Sequence, residues 1–447
     1  MKRRGFVPNV RTYTTMMSGY ATIDDWGPLT AQLELVHSVH EQLMQHLERT
    51  RDLIDDPADG SSKAAFILYS VALYISILGK AGKYEKAFDV FHELDTGGAL
   101  APDPKIYASL LAVLVERVNA ANGDADVIAQ SVSEAKYIWR RHMRTLDKQP
   151  QHHVQPRSIG AVVKLLSRGE PSDHELMFDI LRDFCGLPSP SDGRGPSPPS
   201  QKKKGLTTWI LNDILDGCLV ADRPEIAVHY AQSVMDTREL RPILSTWHLY
   251  KLLRAHILLA EKGSAEPSRA ENVVTWVERM VAQVPVRESK KTTLDEGMVV
   301  LALKLCYRCK DTQSALRIAR AMIVNDDSQE VPGSLSMPVK AWDYLFHLAM
   351  DAGQDEKIRC LELLKSNGSS IFNVWESSST AIERLIKKHT HISLARGIVL
   401  VLKTVLPSPS DHEGVEKEKT DTADIEAWSD ILKRAESFLE KTQGRKS

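Results

Sequence analysis

At 447 residues the chain is too long for one compact core, since single cores stop growing at roughly 250–300 residues. Apolar residues at 43% and charged residues at 26% exclude wholesale disorder, and a net charge of −2 excludes a global electrostatic attraction to nucleic acid. Five cysteines, scattered at 185, 218, 306, 309 and 360, exclude a secreted disulfide framework and point to free thiols in a reducing compartment. No run reaches the roughly 18 apolar residues of a membrane span. The best stretch, Ile392 to Leu406, is broken by Arg396 and Lys403. The apolar residues are mostly Leu, Ala, Val and Ile, with aromatics at 6%, a mix that suits helices better than strands.

Taken in chain order, amphipathic helices recur in pairs with short polar breaks. The clearest pair runs from Tyr69 to Asp103. An apolar helix leads into Lys80-Ala81-Gly82-Lys83, where Gly82 is free to take the positive φ that a tight helix–helix turn demands. The second helix, Tyr84 to Leu94, places Ala87, Val90, Phe91 and Leu94 on one face. Small residues mark the second helix of later pairs at Ala227, Ala270 and Ala315. Their spacings exceed the 35 or so residues of an undecorated repeat, so loops have grown between helices, as at Asn119–Val127 and Lys262–Arg269. A Pro/Ser/Gly-rich stretch, Leu187 to Gly205, ends in Lys202-Lys203-Lys204 and reads as an extended linker. Pro407 to Asp421 is a second polar break, and a last amphipathic helix near Ala423–Lys441 is expected to pack on or cap the array. The expected divisions are repeats over 1–185, a linker over 186–205, degenerate repeats over 206–406, a linker over 407–422 and a terminal helix in 423–447. The fold class is all-α, an α-solenoid of degenerate helix-turn-helix repeats.

Pro8-Asn9-Val10-Arg11-Thr12-Tyr13-Thr14-Thr15-Met16-Met17-Ser18-Gly19-Tyr20 resembles the first helix of a pentatricopeptide repeat, with a Pro-Asn lead-in and a Thr-Tyr start. The pattern recurs at Pro102-Asp103-Pro104-Lys105-Ile106-Tyr107, at Arg241-Pro242 followed by Ser245-Thr246-Trp247-His248, and at Lys340-Ala341-Trp342-Asp343-Tyr344-Leu345. Met350-Asp351-Ala352-Gly353 matches the turn at 81–82, and Asn212 to Ala227 resembles another unit. The loose, insert-bearing array is more similar to fungal mitochondrial members of the family than to regular plant ones. Met1 to Asn9 resembles the end of a preceding repeat, so the start reads as internal to a longer protein whose upstream part holds the targeting peptide.

The resemblance implies that first helices line a groove where each repeat reads one base of unpaired RNA. The family reads the base with the fifth residue of the first helix and the last residue of the repeat. Carried over, the fifth residues are Thr14, Ala108, Asn212, His248 and Asp343, with Ala72 and Gly160 beside them, and the fitting last residues are Asn9 and Asp103. Ala72, Ala108 and Gly160 cannot hydrogen-bond a base through a side chain. Lys80, Arg168 and Arg308, near the ends of first helices, stand where the family approaches phosphates and would supply the charge the chain as a whole lacks.

Other features read as structural. Tyr13, Tyr107, Trp247 and Trp342 share one slot, expected to pack between helices. Cys306-Tyr307-Arg308-Cys309 is a lone pair with no second pair at zinc spacing. His152-His153 and His389-Thr390-His391 read as surface histidines. No catalytic motif, metal site, cofactor or small-molecule substrate is implied. The expected function is non-catalytic binding of single-stranded RNA in the mitochondrial matrix. The target would be a transcript or small-subunit ribosomal RNA, with the mitochondrial small ribosomal subunit as a further partner. The rival expectation is a tetratricopeptide-like protein scaffold.

Overall fold

The computed structural model describes residues 8–49, 60–94, 98–149, 152–190, 206–263, 296–324, 337–376, 389–406 and 422–443, with a few positions between 268 and 275. Every regular element among them is helical, and the chain is an α-solenoid of paired helices. Its contacts divide it into two compact units, Met1–Leu244 and Ser245–Ser447.

In the first unit the helices are α1 Val10–Ala21, α2 Thr30–Arg49, α3 Gly60–Lys80, α4 Tyr84–His92, α5 Pro104–Ala120, α6 Ala125–Lys148, α7 Pro156–Leu166, α8 Pro171–Ile180, α9 Thr208–Val220 and α10 Pro224–Asp236. The odd-numbered helices pack in a row, α1 on α3, α3 on α5, α5 on α7 and α7 on α9, and each even-numbered helix backs its predecessor. In the second unit the helices are α11 Thr246–Glu261, α12 Glu296–Cys309, α13 Thr312–Val324, α14 Val339–Met350, α15 Gln354–Asn367, α16 Ser369–Glu376, α17 His389–Val405 and α18 Thr422–Gln443. There α11, α12, α14 and α17 form the corresponding row. No described helix is long and apolar enough to cross a membrane.

Local chemistry explains where helices begin and end. Asn9 caps α1 by accepting from the Thr12 amide at 3.0 Å, and Asp103 caps α5 by accepting from the Lys105 and Ile106 amides, both at 3.0 Å. At the end of α3, Gly82 takes φ +70° and the Lys83 amide reaches back to the Leu78 carbonyl at 2.8 Å, the expected tight turn. The same closure recurs after α9, with Asp222 at φ +55°, and after α12, with Lys310 at φ +54°. The turn at Ala352-Gly353, read as a repeat of Ala81-Gly82, is different. Gly353 has φ −65° and begins α15 rather than ending α14. The left-handed place would fall on Ala352, whose Cβ makes that conformation costly.

Packing follows the expected faces. Ala87, Phe91, Ala227 and Ala315 are buried, so second helices lie close on their partners, while Ala270 lies outside the described residues. Leu187 and Ser189, read as the start of a linker, are buried, and residues 191–205 lie outside the described residues. The terminal helix α18 buries Trp428, Ile431, Ala435 and Phe438 against its neighbours, with Phe438 stacked on Trp375 at 4.8 Å.

Candidate functional site

The caps fix a common register for the first helices. Counted from the N-cap, Tyr13, Tyr107, Ile159, Leu211, Leu249 and Trp342 stand fourth, and all are buried. The slot read as a packing slot is one, yet Trp247 does not occupy it. Trp247 is the second residue of α11 and is 69% exposed. His248 is likewise third rather than fifth. It is buried, and its Nδ1 accepts from the Ser245 amide at 2.9 Å, so it closes the helix start. Tyr250 is the fifth residue of α11. The sequence register slipped by two residues because the Thr246-Trp247 start was aligned on the Thr12-Tyr13 start of α1, whereas Leu249 fills the apolar slot.

The other fifth residues lie along the seams between first helices. Thr14 is buried, donating to the Val10 carbonyl at 2.9 Å and meeting Ser70 Oγ of α3 at 2.7 Å. Ala72, read as a fifth residue, instead lies mid-helix, thirteenth from the start of α3 at Gly60, and is buried. Gly160 is buried, and Ala108 and Asn212 are half-buried. Asp343 is half-buried, and burial raises its carboxyl above the ordinary range, partly offset by Ser393 and His347. His347 Nε2 lies 2.9 Å from Ser393 Oγ and 3.4 Å from Asp343 Oδ1. One nitrogen thus faces both partners, whereas a nucleophilic relay needs the carboxylate on the opposite ring nitrogen. The cluster is a clasp between α14 and α17.

The three cations near first-helix ends have local partners. Lys80 Nζ is 2.7 Å from Asp24 Oδ1 and donates to the Ala21 and Ile23 carbonyls at 3.2 and 3.3 Å, which secures the end of α1. The Lys80 ammonium in turn holds the Asp24 carboxyl below its ordinary range. Arg168 is exposed and donates to the Lys164 carbonyl of its own helix at 3.0 Å. Arg308 shares Glu261 with Lys304, at 3.4 and 3.2 Å.

A different row faces solvent. Where a cap fixes the register, the second residues of first helices are Arg11, Lys105, Arg157 and Trp209 in the first unit and Trp247 and Lys340 in the second, and each of these six is exposed; the second residue of α12 is Gly297, and that of α17 is Thr390, which is half-buried. Second and fifth residues are three apart and share a helix face, so each seam residue has one of these side chains standing outside it. Lys105 Nζ sits 5.0 Å from the centre of the Tyr69 ring, pairing a cation with an exposed aromatic of the neighbouring helix. Pro156, Arg157, Thr207, Trp209, Ile210 and Asp213 line a groove of about 440 Å³ between the starts of α7 and α9. Sequence reading missed this row because it looked for a family pattern at the fifth residue. Counting two residues on from each Ser, Thr, Asn or Asp cap would have found most of it.

Among the described residues no group of three or more His, Cys, Asp or Glu side chains is placed to hold a metal ion. All five cysteines are buried. Burial pushes the Cys185, Cys218 and Cys360 thiols up to about 12 and raises Cys306 further, so they stay protonated and poorly nucleophilic.

Residues 73–98, which span the second half of α3, its Gly82 turn and α4, match the model of the PPR repeat. No curated protein matches the chain. Among solved structures, a circular tandem repeat protein with novel repeat topology and enhanced subunit contact surfaces aligns over 97% of this chain and 98% of its own. Its identity is 11% and its TM-score 0.22, too low to support any argument from the likeness.

Proposed function

We propose that this chain binds single-stranded RNA along the exposed second residues of its first helices, with no chemistry of its own. The observation that carries the reading is that row, with Arg11, Lys105, Arg157 and Lys340 as cations and Trp209 and Trp247 as exposed aromatics. Cations that track a backbone and flat rings on which bases stack are what unpaired nucleic acid requires. A net charge of −2 does not oppose it, because Arg11, Lys105 and Arg157 stand exposed at the starts of first helices in the first unit. The PPR-repeat match at residues 73–98 supports the same class of partner. A mitochondrial transcript or small-subunit ribosomal RNA as the target, the mitochondrial matrix as the compartment and the small ribosomal subunit as an assembly partner rest on the resemblance of the insert-bearing array alone.

The protein-scaffold reading gains from one observation. Asn9 and Asp103 cap helices and Thr14 bridges to Ser70, so the residues that set this chain apart from a tetratricopeptide array all have structural roles. Direct titration with a pool of unstructured RNA across a salt series decides between the two. Against wild type, an Arg11→Glu, Lys105→Glu, Arg157→Glu variant should bind weakly, and its salt slope should be shallower by roughly 0.7 per lost phosphate contact. Equal affinity and slope in the two proteins would favour the scaffold.

A further inference from the structure

The helix α6 has 24 residues against 9 in α4 and 10 in α8, the second helices of the neighbouring pairs, and its last turns carry a row of cations. Val132, Ala135, Ile138, Trp139 and His142 form its buried side, and Tyr137, Arg140, Arg144 and Lys148 stand on the opposite side, all exposed. The cations beside them in the chain are in use. Lys136 Nζ is 2.7 Å from Asp173 Oδ1, and the Arg141 guanidinium lies 4.6 Å from the centre of the Phe91 ring. Arg140, Arg144 and Lys148 have no hydrogen bond or ion pair among the described residues, and the neighbouring Asp147 makes none with them. The pull of a helix C-terminus on cations accounts for Lys148, in the last turn, but fades before Arg144 and Arg140. The inner side of the same turns is fixed, with His142 stacked on Tyr107 at 4.6 Å and Tyr107 Oη 2.9 Å from Thr145 Oγ1. The row is thus carried by a packed helix rather than by a loop.

Residues four apart on a helix are separated by a rise of about 6 Å. Arg140, Arg144 and Lys148 therefore repeat at a step close to that between successive phosphates along an A-form strand. A guanidinium takes a phosphate through two parallel N–H donors. An interface with a folded protein needs an apolar centre, and on this stripe only Tyr137, 54% exposed, could supply one. A strand of unpaired bases is held by stacking on several rings, and one tyrosine is too few. Duplex RNA needs neither, since it is recognised through its backbone and shape. We propose that this outer stripe of α6 binds the backbone of an A-form RNA duplex: Arg140, Arg144 and Lys148 meet successive phosphates of one strand, and the Tyr137 hydroxyl donates to a phosphate or 2′-hydroxyl oxygen beside them. The stripe belongs to a second helix, shares no residue with the row on the first helices, and does not depend on the single-strand reading above.

The test is titration of the full chain with a hairpin RNA bearing a long blunt stem, an unstructured RNA pool, a DNA duplex of the stem sequence, and poly-glutamate. Wild type should bind the hairpin. An Arg140→Glu, Arg144→Glu variant should bind it about tenfold more weakly, with a salt slope shallower by roughly 0.9 per lost phosphate contact. The same variant should bind unpaired RNA as wild type does, whereas the Arg11→Glu, Lys105→Glu, Arg157→Glu variant should keep its hold on the hairpin. A hairpin bound equally by wild type and the Arg140→Glu, Arg144→Glu variant, or not bound at all, would overturn the proposal. A DNA duplex bound as tightly as the RNA would also overturn it, by reducing the stripe to a general attraction for phosphate. Poly-glutamate bound more tightly than the hairpin would overturn it in favour of an acidic protein partner. Failure of wild type to bind unpaired RNA, with hairpin binding intact, would sink the single-strand reading and leave this one standing. If circular dichroism shows that the Glu variant does not fold, Arg140→Gln, Arg144→Gln on the same RNAs decides by the same outcomes.

Discussion

His142 lies fully buried, stacked on Tyr107 at 4.6 Å and edge-on to Trp139 at 6.0 Å, and neither ring nitrogen has a hydrogen-bond partner among the described residues. Burial pushes its pKa down to about 4, helped slightly by His152. His40, stacked on Tyr74 at 3.9 Å, and His256 are depressed to about 4 by the same cause, with small contributions from His37 and Lys86 at the one and Arg269 at the other. An unfolded imidazole titrates near 6.5, so between pH 6.5 and 4 the unfolded chain takes up protons that the folded chain refuses. These groups leave stability intact above pH 6.5 and remove it as pH falls through that window, by about 1–3 kcal/mol each. Urea denaturation should give a distinctly lower midpoint at pH 5 than at pH 7, and His142→Phe should flatten the difference. A wild-type midpoint that holds constant over this range would contradict the assignment of neutral buried rings. No local pattern marks these three residues, because a histidine on a helix shows its burial only once the neighbouring helices are placed.

At the scale of the element, the Pro-Asn and Pro-Asp lead-ins that carry the family resemblance are helix starts in physical terms. Asp103 accepts from two amides that would otherwise have no partner at the head of α5, and the following Pro104 has no amide to satisfy. Asp103→Ala should cost about 1 kcal/mol of stability, and Asp103→Asn much less. Measuring RNA affinity on the same two proteins separates the cap from a base contact. A cap alone predicts that both variants, once folded, bind as wild type does. The turns are equally legible where glycine supplies the positive φ, as at Gly82. They were not legible at Asp222 and Lys310, because a non-glycine residue in that conformation is set by the closing hydrogen bond and the packing of the next helix.

At the scale of the molecule, each helix of a unit's row contacts its neighbours within that unit, and the consequences of a mutation should be correspondingly local. Gly79 in α3 is the sharpest place to look. A Cβ there would stand 2.7 Å from Val113 Cγ2 and 3.3 Å from Val113 Cα in α5, and a buried β-branched residue has little room to yield. Gly79→Ala should therefore destabilise by about 1–3 kcal/mol even though alanine is the better helix former. Hydrogen exchange should quicken in α3, α5 and the helices beside them, while α14 and α17 of the second unit keep wild-type protection. Uniform acceleration through both units would show that the chain opens as one body.

What the sequence determined by itself was the helical class, the pairing of helices, the buried faces and the terminal helix. Each is written in periodicity, caps and small residues within a few positions of one another, and Ala87, Val90 and Phe91 of α4 pack as their spacing predicts. Tertiary structure alone decided which side chains of a first helix meet solvent and which meet the next helix. Thr14 is spent on Ser70, 56 residues away, and Lys80 on Asp24 at the same separation. Trp247 turns outward while His248 turns in, a difference of one residue and roughly 100° of helix. Such choices depend on the register between helices far apart in the chain, and no local pattern records that register.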